Sequence, residues 1–348
     1  MAYRAAIYKF TPELLRQRIR DALEWVDWRA KIYADSRVWI KPNLTFPEYR
    51  PGVTTSPHFM AALLDVLRER TRHLTVFESD GGNNSYPMEK AFKAHNLVEI
   101  CGDRDVRLVN LSRLKWESVE IPVGRGKSLT IPQAGEILKD ADLTISAPVP
   151  KMHFVTRYTG AIKNYWGAVP DSMRLRNHYF FNYAINTIMR LLKAGLTVVD
   201  GEYFLDNNGP VTGNPVEMNL VLASDYPLTA DMVLMNIMGV DPSKIGYIRS
   251  AWQMSPGPHS LAEVKLNTPL EAFKNVAFTY QRDPVDYLAL LGFHSKWVTW
   301  LVYLSPLRKF MHWLVGVMRG GSRQVEAYYN DIVHDDSAAP PKAQEPVE

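Results

Sequence analysis

The 348-residue chain has one cysteine, Cys101. That excludes an internal disulfide framework and any all-cysteine iron–sulfur or zinc site. It also lacks an excess of one charge: 40 Lys and Arg stand against 37 Asp and Glu, for a net +3. No dense basic stripe with interleaved aromatics precedes the C-terminal region, so no nucleic-acid partner is expected. No uncharged run reaches the ~20 residues that a membrane-spanning helix needs. The N-terminus, MAYRAAIYKF, has no basic region followed by an apolar run of signal-peptide length, so a cytoplasmic protein is expected. The common cofactor and nucleophile motifs are missing as well. There is no G-x-G-x-x-G, no G-x-x-x-x-G-K-S/T, no G-x-S-x-G and no His-rich zinc spacing.

What the chain does carry is an alternation of short apolar runs with helical patterns. Residues 4–9 and 36–40 read as strands around a helix over 12–29, with Thr11 as its N-cap. A helix follows TTSP, with Pro57 near its first turn, and LTVFESD (74–80) is a strand ending in acid. A helix over 87–96 precedes short strands near 106–110, 117–122 and 128–131, which resemble a small antiparallel insertion. Helix 133–140 and strand 142–148 complete the first series. Helix 179–194, strands 196–201 and 218–224, helix 227–238 and a shorter helix after Asp241-Pro242 form a second. The expected fold is α/β: a mostly parallel sheet with helices on both faces. The expected units are an α/β half over 1–150, a second half over 151–285, aromatic amphipathic helices over 286–334 and a disordered tail over 335–348.

The densest concentration of chemistry is PVPKMHFVTRYTGAIKNYWGAVP, residues 148–170. It follows the buried-looking run TISAPV and sets His153 and Lys163 ten residues apart across a Gly-containing turn, with Lys151 just before. In open α/β folds ligands bind where strands end. Other strand ends add polar groups: Lys41 and Asn43 after VWI, then Asp80 with the Gly81-Gly82 loop after VFES. Asp200 and Glu202 follow TVV, and Asn208 lies in the loop NNGPVTGNP. If the strands are parallel, these reach one edge of the sheet. Each strand-end Asp also reads as a helix cap or turn former.

The strings VWIKPN, TTSP, ESDGG, PVPKMHF, TGAIKNYWGAVP, VVDGEY, NNGPVTGNP and MGVDP resemble, in order, the family catalogued as domain of unknown function 362. Some relatives carry a four-cysteine iron–sulfur segment, which this chain with Cys101 alone does not share. Membership implies a fold and little chemistry. Lys151-Met-His153-Phe154, then Tyr158-Thr159-Gly160-Ala161 and Lys163, is also similar to the loop of nickel-pincer lactate racemase. In that enzyme the loop histidine is catalytic, and the final lysine holds a covalently attached pincer nucleotide. Ala161 replaces the second glycine, and His58 and His178 match the remaining histidines by position only. The resemblance implies isomerase-like or redox chemistry and leaves a nickel-pincer group or a divalent metal open as cofactor.

From the residues themselves, His153 is the best acid/base candidate among nine histidines. Lys163 suits an anion contact or a covalent anchor, because flanking Tyr158, Tyr165 and Trp166 could desolvate it. Lys41, Lys151 and the backbone of the 81–84 loop are further anion contacts. The alternative is a buried structural network in which Lys41 and Lys163 pair with Asp80 and Asp200. Asp80, Asp200, Glu202 and Asp225 could instead hold a hard cation such as magnesium. Residues 287–318 place Trp297, Trp300, Tyr303 and Trp313 beside Lys296, Arg308 and Lys309, with Pro306 splitting the helix. That pattern suits packing on the core, a homo-oligomer, or a peripheral position at the inner membrane face. Three functions remain open: an enzyme for a small anionic or carboxylate-bearing substrate, a carrier for an anionic cofactor, or a membrane-associated partner protein.

Overall fold

Apolar residues alternating with a period of two give the central sheet two covered faces. The computed structural model describes residues 3–124 and 127–282, and beyond them 286, 287, 290, 291, 295–301, 305–307 and 310. Most of the helical segment expected over 286–334, and the whole tail over 335–348, lie outside the described residues. The strands are β1 (Tyr3–Lys9), β2 (Val38–Pro42), β3 (Leu74–Glu78), β4 (Arg107–Asn110), β5 (Trp116–Gly124) and β6 (Lys127–Ala134). They continue as β7 (Leu143–Ala147), β8 (Lys151–His153), β9 (Arg157–Thr159), β10 (Ala194–Asp206), β11 (Asn214–Ser224) and β12 (Val264–Leu266). The main sheet runs β12-β1-β11-β10-β7-β2-β3-β4, with the β8–β9 hairpin attached to β10. Neighbours from β10 through β4 are all parallel, and β11 is antiparallel to both β1 and β10. The two expected halves therefore share one sheet.

Ala6, Val38, Ile40, Val76, Ile145 and Val198 face α1 (Leu15–Trp25), α2 (Pro57–Leu67), α3 (Met88–Ala94) and α4 (Leu97–Gly102). Their chain neighbours Ile7, Trp39, Phe77 and Val199 face the opposite way. There they join α5 (Gly135–Asp140), α6 (Ala161–Asn164), α7 (Phe181–Leu191), α8 (Pro227–Ile237) and α9 (Gly246–Met254). Each fully buried aliphatic or aromatic side chain in these layers contributes about 1.5–3 kcal/mol. At α2 the expected start is present: Ser56 Oγ accepts from Phe59 N at 3.3 Å, and Pro57 opens the helix.

Three local readings change. The strand near 106–110 belongs to the main sheet: β4 is its edge, parallel to β3, and only β5 and β6 form the separate antiparallel pair. Thr11 precedes a 3-10 turn at Pro12–Leu14 and makes no side-chain cap bond. Between β7 and Lys163 the chain forms the β8–β9 hairpin over Lys151–Thr159, which was not expected, whereas Lys163 does sit in the first turn of a helix, Ala161–Asn164. Among the described residues no helix is long and apolar enough to cross a membrane.

Candidate functional site

The parallel strands β2, β3 and β7 end at the same edge of the sheet, and their trailing segments enclose a cavity of about 230 Å³. Strand β2 supplies Lys41 and leads to Asn43, while β3 supplies Glu78 and leads to Ser79, Gly81 and Gly82. In β8 the period of two sends Met152 into the apolar core, and Lys151 and His153 to the cavity. Helix α6 adds Lys163 and Asn164, the next turn adds Trp166 and Gly167, and residues 174–178 add Arg174 and His178.

Each residue of the GAIKNYWG string has a task. Asp231, on α8, accepts from Ala161 N at 2.6 Å and Ile162 N at 3.0 Å, which fastens the start of α6. Tyr158 also donates to Asp231, at 3.0 Å. Gly160 must be glycine, because a Cβ there would lie 2.1 Å from both Asp231 Oδ1 and the Tyr158 hydroxyl. Asn164 Nδ2 donates to Lys41 O at 3.0 Å and Ser146 Oγ at 3.1 Å, tying α6 across β2 and β7. Tyr165 shares a hydrogen bond with Thr144 at 2.9 Å. Trp166 packs edge-on to Phe181, with centroids 5.0 Å apart. A Cβ on Gly167 would press within 2.7 Å of Glu78 Oε1 and 2.9 Å of Lys41 Nζ, so glycine lets this turn lie on that ion pair.

The electrostatics are lopsided. Among the described residues Lys41, Lys151, Lys163 and Arg174 line the cavity against a single carboxylate, Glu78, which is already bound to Lys41. Lys151 Nζ donates to the Val53 carbonyl, and Lys163 Nζ donates to Thr159 Oγ1 at 3.0 Å. Arg174 reaches only backbone carbonyls, including Asp80 O at 3.0 Å. Among the described residues neither these two lysines nor Arg174 meets a carboxylate within salt-bridge distance. Burial therefore lowers the Lys151 ammonium to about 7. Burial, with the Lys151 charge beside it, lowers Lys163 well below the usual lysine value. Lys41 is lowered by burial despite Glu78. His153 is held well below an ordinary histidine by burial and then by Lys163, Lys151 and His178, so its ring is neutral. Its Nδ1 accepts from Val155 N at 3.0 Å. His178 Nδ1 bonds the Leu175 carbonyl at 3.0 Å, and burial lowers it to about 3.

Of the residues singled out from sequence, Lys41, Asn43, Gly81, Gly82, Lys151, His153 and Lys163 meet in this cavity. Asp80, Asp200, Glu202 and Asn208 do not line it. Asp80 accepts from Met88 N at the start of α3 and from Asn110, and pairs with Arg113 at 3.2 Å. Asp200 accepts from Ser56 N at 2.7 Å, at the start of α2. Glu202 faces His58 at 2.9 Å, and Asn208 donates to Asp286 at 2.9 Å. The network alternative is corrected too: Lys41 pairs with Glu78 rather than Asp80 or Asp200, and Lys163 with neither. Among the described residues no three His, Cys, Asp or Glu side chains come together as a metal site. Sequence reading missed Glu78, Arg174 and Asp231. Asp231 had a signal, being the one charged residue in the apolar helix PLTADMVLMNI.

The sequence profile of the family described as domain of unknown function (DUF362) matches residues 38–236, more than half of the chain. A thylakoid-associated protein of Synechocystis is 28% identical over 230 residues, covering 60% of this chain and 65% of its own length. The lactate racemase apoprotein of Thermoanaerobacterium thermosaccharolyticum superposes with a TM-score of 0.45 at 13% identity, covering 69% of this chain and 57% of that one. A Thermotoga maritima protein gives 0.34 at 14%, covering 55% and 50%. The chain thus spans under two thirds of the length of each. It belongs to the DUF362 family.

Proposed function

We propose that this DUF362 protein is an enzyme for a small anionic substrate, bearing a carboxylate or phosphate, that binds in the strand-end cavity. The observation that carries the reading is the unbalanced charge: among the described residues three buried basic side chains and the partly buried Lys163 face one carboxylate, already paired. Burying charge without a partner is costly, and a bound anion removes that cost for Lys151, Lys163 and Arg174 together. A carrier needs only the cations. An imidazole and an amine without counter-ion at the same cavity are what proton transfer or covalent catalysis uses, and they favour an enzyme.

The test is thermal unfolding with oxalate or phosphate against chloride at equal ionic strength. Saturation at 100 times Kd stabilises by about 2.7 kcal/mol, a rise of several degrees for a chain of this size. The rise should shrink sharply in Lys163→Met. No rise in the wild type, or an equal one in the variant, overturns the reading.

The loop resemblance offers a second, exclusive use of the same amine, as the anchor of a cofactor. Among the described residues Lys163 has no carboxylate partner to hold it as an ammonium, which suits an amine that carries a covalently attached pincer nucleotide. His178, not His58, is the additional histidine at the cavity. Such a group would supply an electrophilic metal centre, with Lys163 as its anchor. Intact-mass measurement of protein from its native host decides it: an adduct on Lys163 supports the cofactor, and an unmodified chain removes it.

A second reading concerns the surface. Trp297 is 82% exposed, and Leu307, Phe310 and Trp300 about half exposed. With the thylakoid association in the relative's name, this supports peripheral membrane attachment through the C-terminal segment. Flotation with anionic liposomes, lost in a Trp297→Glu/Trp300→Glu double variant, is the expected result; equal flotation would remove the segment as an anchor.

A further inference from the structure

The cavity holds three lysines and two histidines, and their hydrogen bonds are not equivalent. Lys41 is bound to Glu78 and Lys151 to the Val53 carbonyl, each almost wholly enclosed at 1% exposure. Lys163 differs: it is only partly buried, lines the cavity, and among the described residues its one hydrogen-bond partner is the Thr159 hydroxyl at 3.0 Å. A hydroxyl is a neutral partner that can accept from an amine or donate to it. Nothing there holds the nitrogen in its ammonium form, and the neighbouring Lys151 opposes it. Burial acts in the same direction.

His153 is constrained in the opposite sense. The Val155 N–H can only donate, so Nδ1 must accept with its lone pair. A flipped ring would place a C–H against that N–H, which the hydrogen bond forbids. In the neutral ring the proton then sits on Nε2, and the ring has no lone pair left for a ligand. The titratable groups that act on His153 are Lys163, Lys151 and His178, and each disfavours a second proton on its ring.

We propose, building on the anion-site reading, that the substrate is a small carbonyl acid such as an aldehyde- or 2-oxo-acid. Lys163 is the nucleophile that forms an imine with it, and His153 is a fixed Nε2–H donor to its oxygen rather than a base. The cavity, at about 230 Å³, lies below the roughly 300–1,000 Å³ of pockets that take drug-sized ligands, which suits such a small molecule. Arg174 and Lys151 face the carboxylate. The step balances without an oxidant. The Lys163 nitrogen bonds to the carbonyl carbon, and the C=O pair moves to oxygen beside His153. The two amine protons then leave with that oxygen as water, giving C=N. Asp231 and Tyr158 are positioning residues, acting through the start of α6.

The experiment uses the full chain with glyoxylate and cyanoborohydride at slightly acidic pH, where surface lysines are protonated and slow. Hydride reduction of the imine leaves a stable carboxymethyl group, located by peptide mass spectrometry. The expected result is one group per chain, on Lys163, absent in Lys163→Arg and suppressed by oxalate. Labelling of Lys163 that oxalate does not suppress keeps the amine assignment and counts against the anion site. Thermal stabilisation by oxalate without labelling of Lys163 overturns this proposal and leaves the anion site standing. The histidine assignment is read separately, from nitrogen-15 spectra of histidine-labelled protein with His153→Gln to identify the signal. A neutral Nε2–H ring at neutral pH is expected; an Nδ1–H ring or an imidazolium refutes it.

Discussion

Gly160→Ala puts the most stress on the architecture that holds Lys163. The added Cβ would lie 2.1 Å from Asp231 Oδ1, 2.1 Å from the Tyr158 hydroxyl and 2.7 Å from the ring carbon bearing it. Asp231 and Tyr158 are both 0% exposed, so neither can move aside into solvent. Overpacking of this kind costs about 1–3 kcal/mol. Moving Asp231 also strands the donors it satisfies: Tyr158 OH, Ala161 N and Ile162 N. Each buried donor left unpaired costs about 1–3 kcal/mol. Losing one or two of them gives a total of about 3–6 kcal/mol, since the two effects share the same movement. At about 2.1 cal/mol/K of unfolding entropy per residue, a chain of 348 residues loses about 1.4 °C per kcal/mol, so the melting temperature should fall by about 4–8 °C. The control is Gly82→Ala, which also touches the cavity but whose Cβ would meet nothing closer than 3.8 Å. It should stay within about 0.5 kcal/mol of wild type. Thermal unfolding followed by circular dichroism compares the three proteins. If Gly160→Ala melts within about 2 °C of wild type, the Asp231 clamp does not carry the load assigned to it.

Two further outcomes are expected. Lys151 has its ordinary value of 10.5 lowered by burial to about 7 in the fold. Between those values the folded state binds fewer protons than the unfolded, so stability should climb as pH rises from about 7 to about 10.5 and be lowest below 7. The advantage of Lys151→Met over wild type in urea unfolding should therefore shrink from pH 7 to pH 9, by up to about 1.4 kcal/mol per unit; parallel profiles would refute this. Cys101 is 1% exposed, and burial pushes its thiol up to about 12. It should ignore a disulfide reagent in native buffer and react once urea is added, whereas fast native labelling would place it at the surface.

The chain by itself determined the layers. Residues 38–40 and 76–77 alternate between faces because successive side chains in a strand must point oppositely, and that pattern needs no partner to be read. The cluster of Lys151, His153 and Lys163 was legible for a similar reason: all three lie in one hairpin-and-helix segment, and local geometry sets their spacing. Tertiary structure decided which distant groups join them. Glu78 ends β3 and Asp80 follows two residues later, yet Glu78 meets Lys41, whereas Asp80 turns away to the start of α3. The register of β3 against β2 and the course of the loop after it make that choice, and neither shows in the residue types. Asp231 stands 70 residues from the backbone it fastens, so only the packing of α8 against α6 reveals its task. Asp200 reads from the sequence as a strand end, yet β10 runs on to Asp206, and the start of α2 lies within reach and takes its carboxylate. Sequence periodicity fixes which face a side chain takes; which atoms wait there is set by the packing of elements far apart in the chain.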